Sequence, residues 1–117
     1  MALTDPVAFD DFLPLTPITF HVLLAVVDAP RHGYGIMKHV EESSGKSVGP
    51  GTVYGALRRL AHEGLVQEGD QRQPERGRHP RQLFEITQLG RKVLSAEGSR
   101  LARLADLARA KDLVLEG

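Results

Sequence analysis

The chain has 117 residues, no cysteine, no tryptophan, and fifteen Lys and Arg balancing fifteen Asp and Glu. That length suits one small domain rather than an enzyme cleft with regulatory parts, and the missing cysteine excludes disulfides, thiolate metal sites and cysteine nucleophiles. No apolar run approaches the roughly 20 residues of a membrane span, and the amino end lacks the pattern of a secretory signal, so a cytoplasmic protein is expected. The neutral sum hides a polarised chain. Residues 1–30 hold four aspartates and no Lys or Arg, whereas residues 72–92 hold six basic residues against two acids.

Residues 1–15 show no periodicity and are expected to form a loose arm. Thr16-Pro17 offers an N-cap followed by proline at the first helical position. From Ile18 to Val27 apolar residues surround the predicted helix almost completely, interrupted by Thr19 and His21. A helix apolar on all sides must be covered on all sides. A domain this small offers little for one of them, so a second subunit against Ile18, Val22 and Val26 is the expected cover. Asp28-Ala29-Pro30 ends the helix.

His32-Gly33-Tyr34-Gly35 reads as a turn into a second helix, about Tyr34 to Ser44, with Ile36, Met37 and Val40 buried and Gly45 as the stop. The third helix, Pro50 to Gly64, is the most informative. Proline suits its first turn, and glycine suits the residue past its end. At about 100° per residue, Val53, Leu57 and Leu60 form one stripe. Gly51, Gly55, Arg58 and His62 fall opposite, flanked by Arg59 and Tyr54. That outward side is basic, has no acid at its centre and has a gap at Gly55, as a helix lying against phosphates requires.

Residues 65–68 and 82–86 read as two short strands, joined by a polar loop at 69–81 that carries Arg72, Arg76, Arg78 and Arg81. Thr87 caps a fourth helix with Val93, Leu94, Leu101, Leu104, Ala105 and Ala108 at helical spacing, and Gly98 is a point where it can break. Leu94, Leu101, Leu104 and Ala108 form a stripe suited to a dimer interface. Three helices, a hairpin with a basic tip and a further helix follow the order of a winged helix-turn-helix: mainly α with a small β-hairpin, plus a carboxyl-terminal dimerisation helix. The expected division is an arm at 1–15, a DNA-binding domain at 16–87 and a dimerisation helix at 88–117. In such a fold the third helix enters the major groove and the wing reaches neighbouring backbone or minor groove.

The runs His32-Gly33-Tyr34-Gly35-Ile36, Gly49 to Leu60, Glu63-Gly64-Leu65-Val66 and Gly77 to Thr87, with Gly90 beyond, resemble the PadR family of bacterial transcriptional regulators over about residues 15 to 94. The resemblance implies a homodimeric repressor on a palindromic promoter site, often released by a small effector, with the last and first helices making the dimer. The family's Pro-Gly-Thr-x-Tyr motif maps onto Pro50, Gly51, Thr52 and Tyr54, and its wing Arg-x-Pro-Arg onto Arg78, Pro80 and Arg81. Thr52 and Tyr54 would then donate to phosphates, and Arg58 would meet a base edge or a further phosphate. Gly55, Arg59, Arg76 and Tyr34 complete the expected DNA face, although Tyr54 as a roof on the core edge and Tyr34 as an ordinary exposed helix start are the alternatives. Gly49, Gly55 and Leu83 depart from the family pattern.

Two rival readings are a winged-helix regulator of another type, such as an ArsR-like metal sensor, and a winged-helix protein-interaction module that does not bind DNA. The five histidines show no i, i+4 pair and no thiolate partner, and no nucleophile–base arrangement can be located. Neither a metal, a cofactor nor catalysis is expected.

Overall fold

The computed structural model describes residues 11–69 and 82–115. In chain order the elements are α1 (Pro17–Val27), β1 (Arg31–His32), α2 (Gly33–Ser44), α3 (Pro50–His62), β2 (Val66–Glu68), β3 (Leu83–Ile86) and α4 (Gln88–Ala110). The helices pack around one core, and the strands form an antiparallel sheet in the order β1-β3-β2. This is a mainly α winged-helix arrangement.

α1 starts where the sequence places its cap. Thr16 is extended, and its Oγ1 accepts from the Thr19 N–H at 3.3 Å, with Pro17 in the first turn. The far end has no glycine stop; two arginines hold its last carbonyls instead. Arg31 Nε donates to the Ala25 oxygen at 2.5 Å, and Arg91 Nη2 to the Val27 oxygen at 3.0 Å, meeting acceptors that a helix end leaves open. Arg91 is therefore one member of the basic 72–92 stretch engaged in holding the fold.

The expectation that a second subunit covers Val22 and Val26 is corrected. α1 packs against α2, α3, β3 and α4 of its own chain, which leave Val22, Leu23, Ala25 and Val26 at 0–1% exposure. Of its apolar side chains, Ile18, Phe20, Leu24 and Val27 stay half-buried. The chain covers more of α1 than its size suggests because the hairpin and the fourth helix both reach it.

β1 is a strand that the sequence hides. Arg31 pairs with Phe84 and His32 with Leu83, and His32 Nδ1 lies 3.1 Å from the Gln82 carbonyl oxygen. Two residues carry no readable alternation, and their partner lies some fifty residues on. β2 and β3 pair in the expected hairpin, with Val66 opposite Ile86 and Gln67 opposite Glu85. Gln67 Nε2 donates across that pair to Glu85 Oε2 at 2.8 Å.

α3 ends in a Schellman motif. Gly64 has φ +79°, its N–H donates to the Ala61 oxygen at 3.1 Å, and the Leu65 N–H donates to the Leu60 oxygen at 2.9 Å. This closure satisfies two terminal carbonyls and turns Leu65 into the core. Thr87 then joins α3 to α4. Its Oγ1 donates to the Gly64 oxygen at 2.7 Å and accepts from the Gly90 N–H at 2.9 Å. Gly90 is required at this junction, since a Cβ there would stand 2.1 Å from the Leu65 carbonyl oxygen.

α4 runs unbroken through Gly98 for 23 residues. Its buried residues, Gly90, Val93, Leu94 and Glu97, all lie in the first half. Leu94, expected at a subunit interface, is instead 8% exposed within the chain's own core. Glu97 is buried too, because the end of the expected arm reaches it. Phe12, Leu13 and Leu15 pack on the core, and the Leu15 N–H donates to Glu97 Oε2 at 2.9 Å. Residues 12–15 thus belong to the folded body rather than to an arm. No helix among the described residues is long and apolar enough to cross a membrane.

Candidate nucleic-acid interface

The two sides of α3 separate cleanly. Val53, Ala56, Leu57 and Leu60 are buried against α1, α2 and β2. Burying the larger of these side chains contributes on the order of 1.5–3 kcal/mol each, which holds the helix in one orientation. Pro50, Gly51, Thr52, Tyr54, Arg58, Arg59 and His62 are exposed, and Gly55 is half-exposed. The helix contains no Asp or Glu. Among the described residues neither Arg58 nor Arg59 has an ion-pair partner.

The start of α3 is lightly capped. Gly49 precedes Pro50 in extended conformation and supplies no side-chain acceptor for the first turn. Donors in that turn are left for solvent or a ligand, and Thr52 stands exposed among them. A Cβ at Gly49, Gly51 or Gly55 would meet nothing within 4 Å. The chain's own packing therefore does not require glycine at these three positions.

Tyr54 has a double character. It is 37% exposed, yet its ring lies edge-on to Phe84 with centroids 6.4 Å apart. It also rests on the first residue of α2, where a Cβ added to Gly33 would fall 1.9 Å from the Tyr54 hydroxyl oxygen. The ring roofs the edge of the core, and the glycine in His32-Gly33-Tyr34 is there to admit it. Tyr34, beside Gly33, is 65% exposed. The starts of α2 and α3 thus present two tyrosines around one glycine.

The expected wing arginines, Arg72, Arg76, Arg78 and Arg81, lie outside the described residues. The base of that hairpin is described. The Gly69 N–H donates to the Leu83 oxygen at 2.6 Å, and Gln82 Nε2 donates to Glu68 Oε2 at 2.7 Å.

Of the residues expected at a dimer interface, Leu101 and Leu104 are 38% and 45% exposed, and Ile18 and Ala108 are half-buried. Val22, Val26 and Leu94 are closed off in the core. Beyond Glu97 the same face of α4 continues past the edge of the body as Leu101, Leu104, Ala105 and Ala108.

Glu97 itself escaped the sequence reading. Arg100 Nε and Nη2 donate to its two carboxylate oxygens at 2.6 and 2.9 Å. The Arg100 hydrogen bonds hold the Glu97 carboxyl below the usual carboxylate range, with the Leu15 N–H adding to the effect and burial opposing it. The i, i+3 spacing of Glu97 and Arg100 was the available signal, but it is as common on solvated helix faces. Among the described residues no three His, Asp or Glu side chains gather as a metal site would need.

Comparison with known proteins places this arrangement. Residues 22–96 match the model of the Transcriptional regulator PadR-like family. An uncharacterised 37.1 kDa protein in transposon TN4556 of Streptomyces fradiae is 42% identical over 84 residues, covering 72% of this chain and 23% of that protein. The chain therefore spans about a quarter of the length of that relative. Among solved structures, a PadR family transcription regulator from Clostridium difficile R20291 superposes with TM-score 0.67 at 20% identity, covering 81% of this chain and 97% of the other. A PadR-like transcriptional regulator from Bacillus cereus gives TM-score 0.69 at 15% identity, with 84% and 93% covered. Bacillus subtilis PadR in complex with operator DNA gives 0.59 at 19% identity, with 69% and 46% covered. By sequence match and by fold, the chain belongs to the PadR-like family of transcriptional regulators.

Proposed function

We propose that this regulator binds promoter DNA as a homodimer and represses by occupying the promoter. Each subunit lays the outward face of α3 into a major groove. The observation that carries this reading is the acid-free exposed face of a helix locked by Val53, Leu57 and Leu60, with Thr52, Arg58 and Arg59 exposed on it. Thr52 and the first-turn amides of α3 position the helix on phosphates, Arg58 reaches a base edge or a further phosphate, and Tyr34 and Tyr54 border the contact. The arginines of the 69–81 loop take the flanking backbone. The solved complex of Bacillus subtilis PadR with operator DNA supports this use of the fold.

The second copy is called for by α4. Leu101, Leu104 and Leu107 are 38%, 45% and 58% exposed on a segment of about ten residues beyond the body. These leucines are left without a cover by the described residues of the chain itself, and burying them removes apolar surface from water. Leu101, Leu104 and Ala108 keep the three-then-four spacing of a heptad stripe, which is suited to the same stripe in a second chain. Two recognition helices then meet half-sites about one or two helical turns apart, some 34 Å or its double. Release by a small effector completes the reading.

Footprinting on the promoter region of the gene itself tests it. The expected result is two protected half-sites with that spacing, both lost in Leu101→Lys with Leu104→Lys. Protection of a single short site unchanged by these substitutions contradicts the dimer, and no protection at all contradicts the DNA reading.

A further inference from the structure

A cavity of about 280 Å³ opens between the start of α1, the end of α2 and the first turn of α3. The DNA-binding reading makes no use of it. Its wall is aliphatic, built from Ile18, Val40 and Val48, and none of its lining residues is Phe, Tyr or Trp. The rim is polar, with His21, Ser44, Lys46 and Thr52. No acid lines it. Glu41, nearby in sequence, has its Oε2 engaged by the Val48 N–H at 3.2 Å. Ser44 Oγ accepts from the Lys46 N–H at 3.2 Å, which fixes the loop that brings Lys46 to the rim. His21 Nδ1 lies 2.8 Å from Ser43 Oγ and is engaged there. Lys46 is therefore the one permanently charged group on the lining.

The volume lies just under the roughly 300–1,000 Å³ of cavities that enclose drug-sized molecules, so the occupant is smaller than those. Branched aliphatic walls reward an apolar chain removed from water. The Lys46 ammonium, which has no ion-pair partner among the described residues, rewards an anion held by a charge-assisted hydrogen bond at the mouth. We propose that this cavity binds a medium-chain aliphatic carboxylate, its chain against Ile18, Val40 and Val48 and its head on Lys46.

Thr52 links the cavity to α3, because it both lines the cavity and stands in the helix's first turn. A bound carboxylate sets negative charge beside the face that meets phosphates, so the occupied protein binds DNA more weakly, and DNA in turn weakens the ligand by the same factor. This linkage rests on the DNA reading; the site itself does not.

The test uses octanoate as the probe and the full chain without DNA, followed by amide NMR. Saturable shifts at Lys46, Val48 and Thr52 are expected. Lys46→Met should weaken octanoate about tenfold or more while leaving octanol unchanged. Val48→Phe, which keeps the main-chain bond to Glu41, should abolish the shifts while thermal melting shows the fold intact. No saturable shift at millimolar octanoate overturns the site. Tighter binding of octanol, or no effect of Lys46→Met, overturns the anionic class, and tighter binding of benzoate overturns the aliphatic one. Saturating octanoate should raise the Kd for promoter DNA several-fold; an unchanged Kd overturns the linkage. Absence of DNA binding under every condition counts against the proposed function and leaves the NMR result to decide the site.

Discussion

Replacing Gly33 by alanine isolates one contact on which the exposed surface shared by α2 and α3 depends. A Cβ at position 33 would stand 1.9 Å from the Tyr54 hydroxyl oxygen, 2.3 Å from Cζ and 2.8 Å from Cε1. No real Cβ tolerates those separations, so the Tyr54 ring must leave its seat. It then gives up its edge-on contact with Phe84, worth about 0.5–1.5 kcal/mol, and part of its burial. Insertions of this kind typically cost about 1–3 kcal/mol. Working against that, alanine in a helix is favoured over glycine by about 0.5–1 kcal/mol. A net loss of roughly 1–2 kcal/mol is expected from Gly33→Ala in the parent chain. In a Tyr54→Ala background the obstacle is gone, and the same substitution should be neutral or stabilising. Urea denaturation of the four proteins, at one fixed chain concentration because the proposed dimer would contribute to stability, gives the coupling directly. Coupling below about 0.5 kcal/mol would refute the seating of Tyr54 on α2, and with it the joint surface of Tyr34, Gly33 and Tyr54.

Other substitutions probe other parts of the fold. Gly90→Ala drives a Cβ to 2.1 Å from the Leu65 carbonyl oxygen, a backbone atom that cannot swing aside. It should cost on the order of 3 kcal/mol or more, and thermal melting within a few degrees of the parent would contradict the close approach of α4. Glu97 gives a pH signature. Its carboxyl is held low in the folded chain by the Arg100 and Leu15 hydrogen bonds, so its contribution is present above the ordinary carboxylate range and is lost as pH falls through the lowered value. Glu97→Gln should therefore be less stable at neutral pH and lose less stability on acidification; parallel melting curves for the two proteins would disprove this. Leu104→Lys places a charge in the exposed stripe of α4 and should shift the chain to a monomer in light scattering, with little effect on the core, where Leu104 takes no part.

Much of this fold is legible in the residues because local chemistry decides it. Thr16-Pro17, Gly64 and Thr87 mark their boundaries through caps that need only neighbours in sequence. The two-sided pattern of α3 likewise depends on a single helix. What could not be read depends on distant partners. β1 exists because Leu83 and Phe84 come to lie beside two otherwise unremarkable residues. Val22, Val26 and Leu94 looked available to a second subunit because sequence alone does not show how completely the other elements wrap α1. Gly98 carries a helix-breaking propensity of about 1 kcal/mol, which α4 absorbs without interruption. The cavity above Val40 is assembled from three separate segments and has no signature in any of them. At α3, Tyr54 was open to two readings, and both apply: its ring closes the core edge while more than a third of it faces outward.

The central claim is that the outward face of α3 meets DNA phosphates. Fluorescence anisotropy with promoter DNA across a salt series measures it most directly. The logarithm of the association constant should fall linearly with the logarithm of salt concentration, by about 0.9 for each phosphate neutralised. Removing Arg58 and Arg59 together should weaken binding and make that slope shallower by about one to two. An affinity indifferent to salt, or a slope and affinity unchanged in Arg58→Ala with Arg59→Ala, would contradict the account.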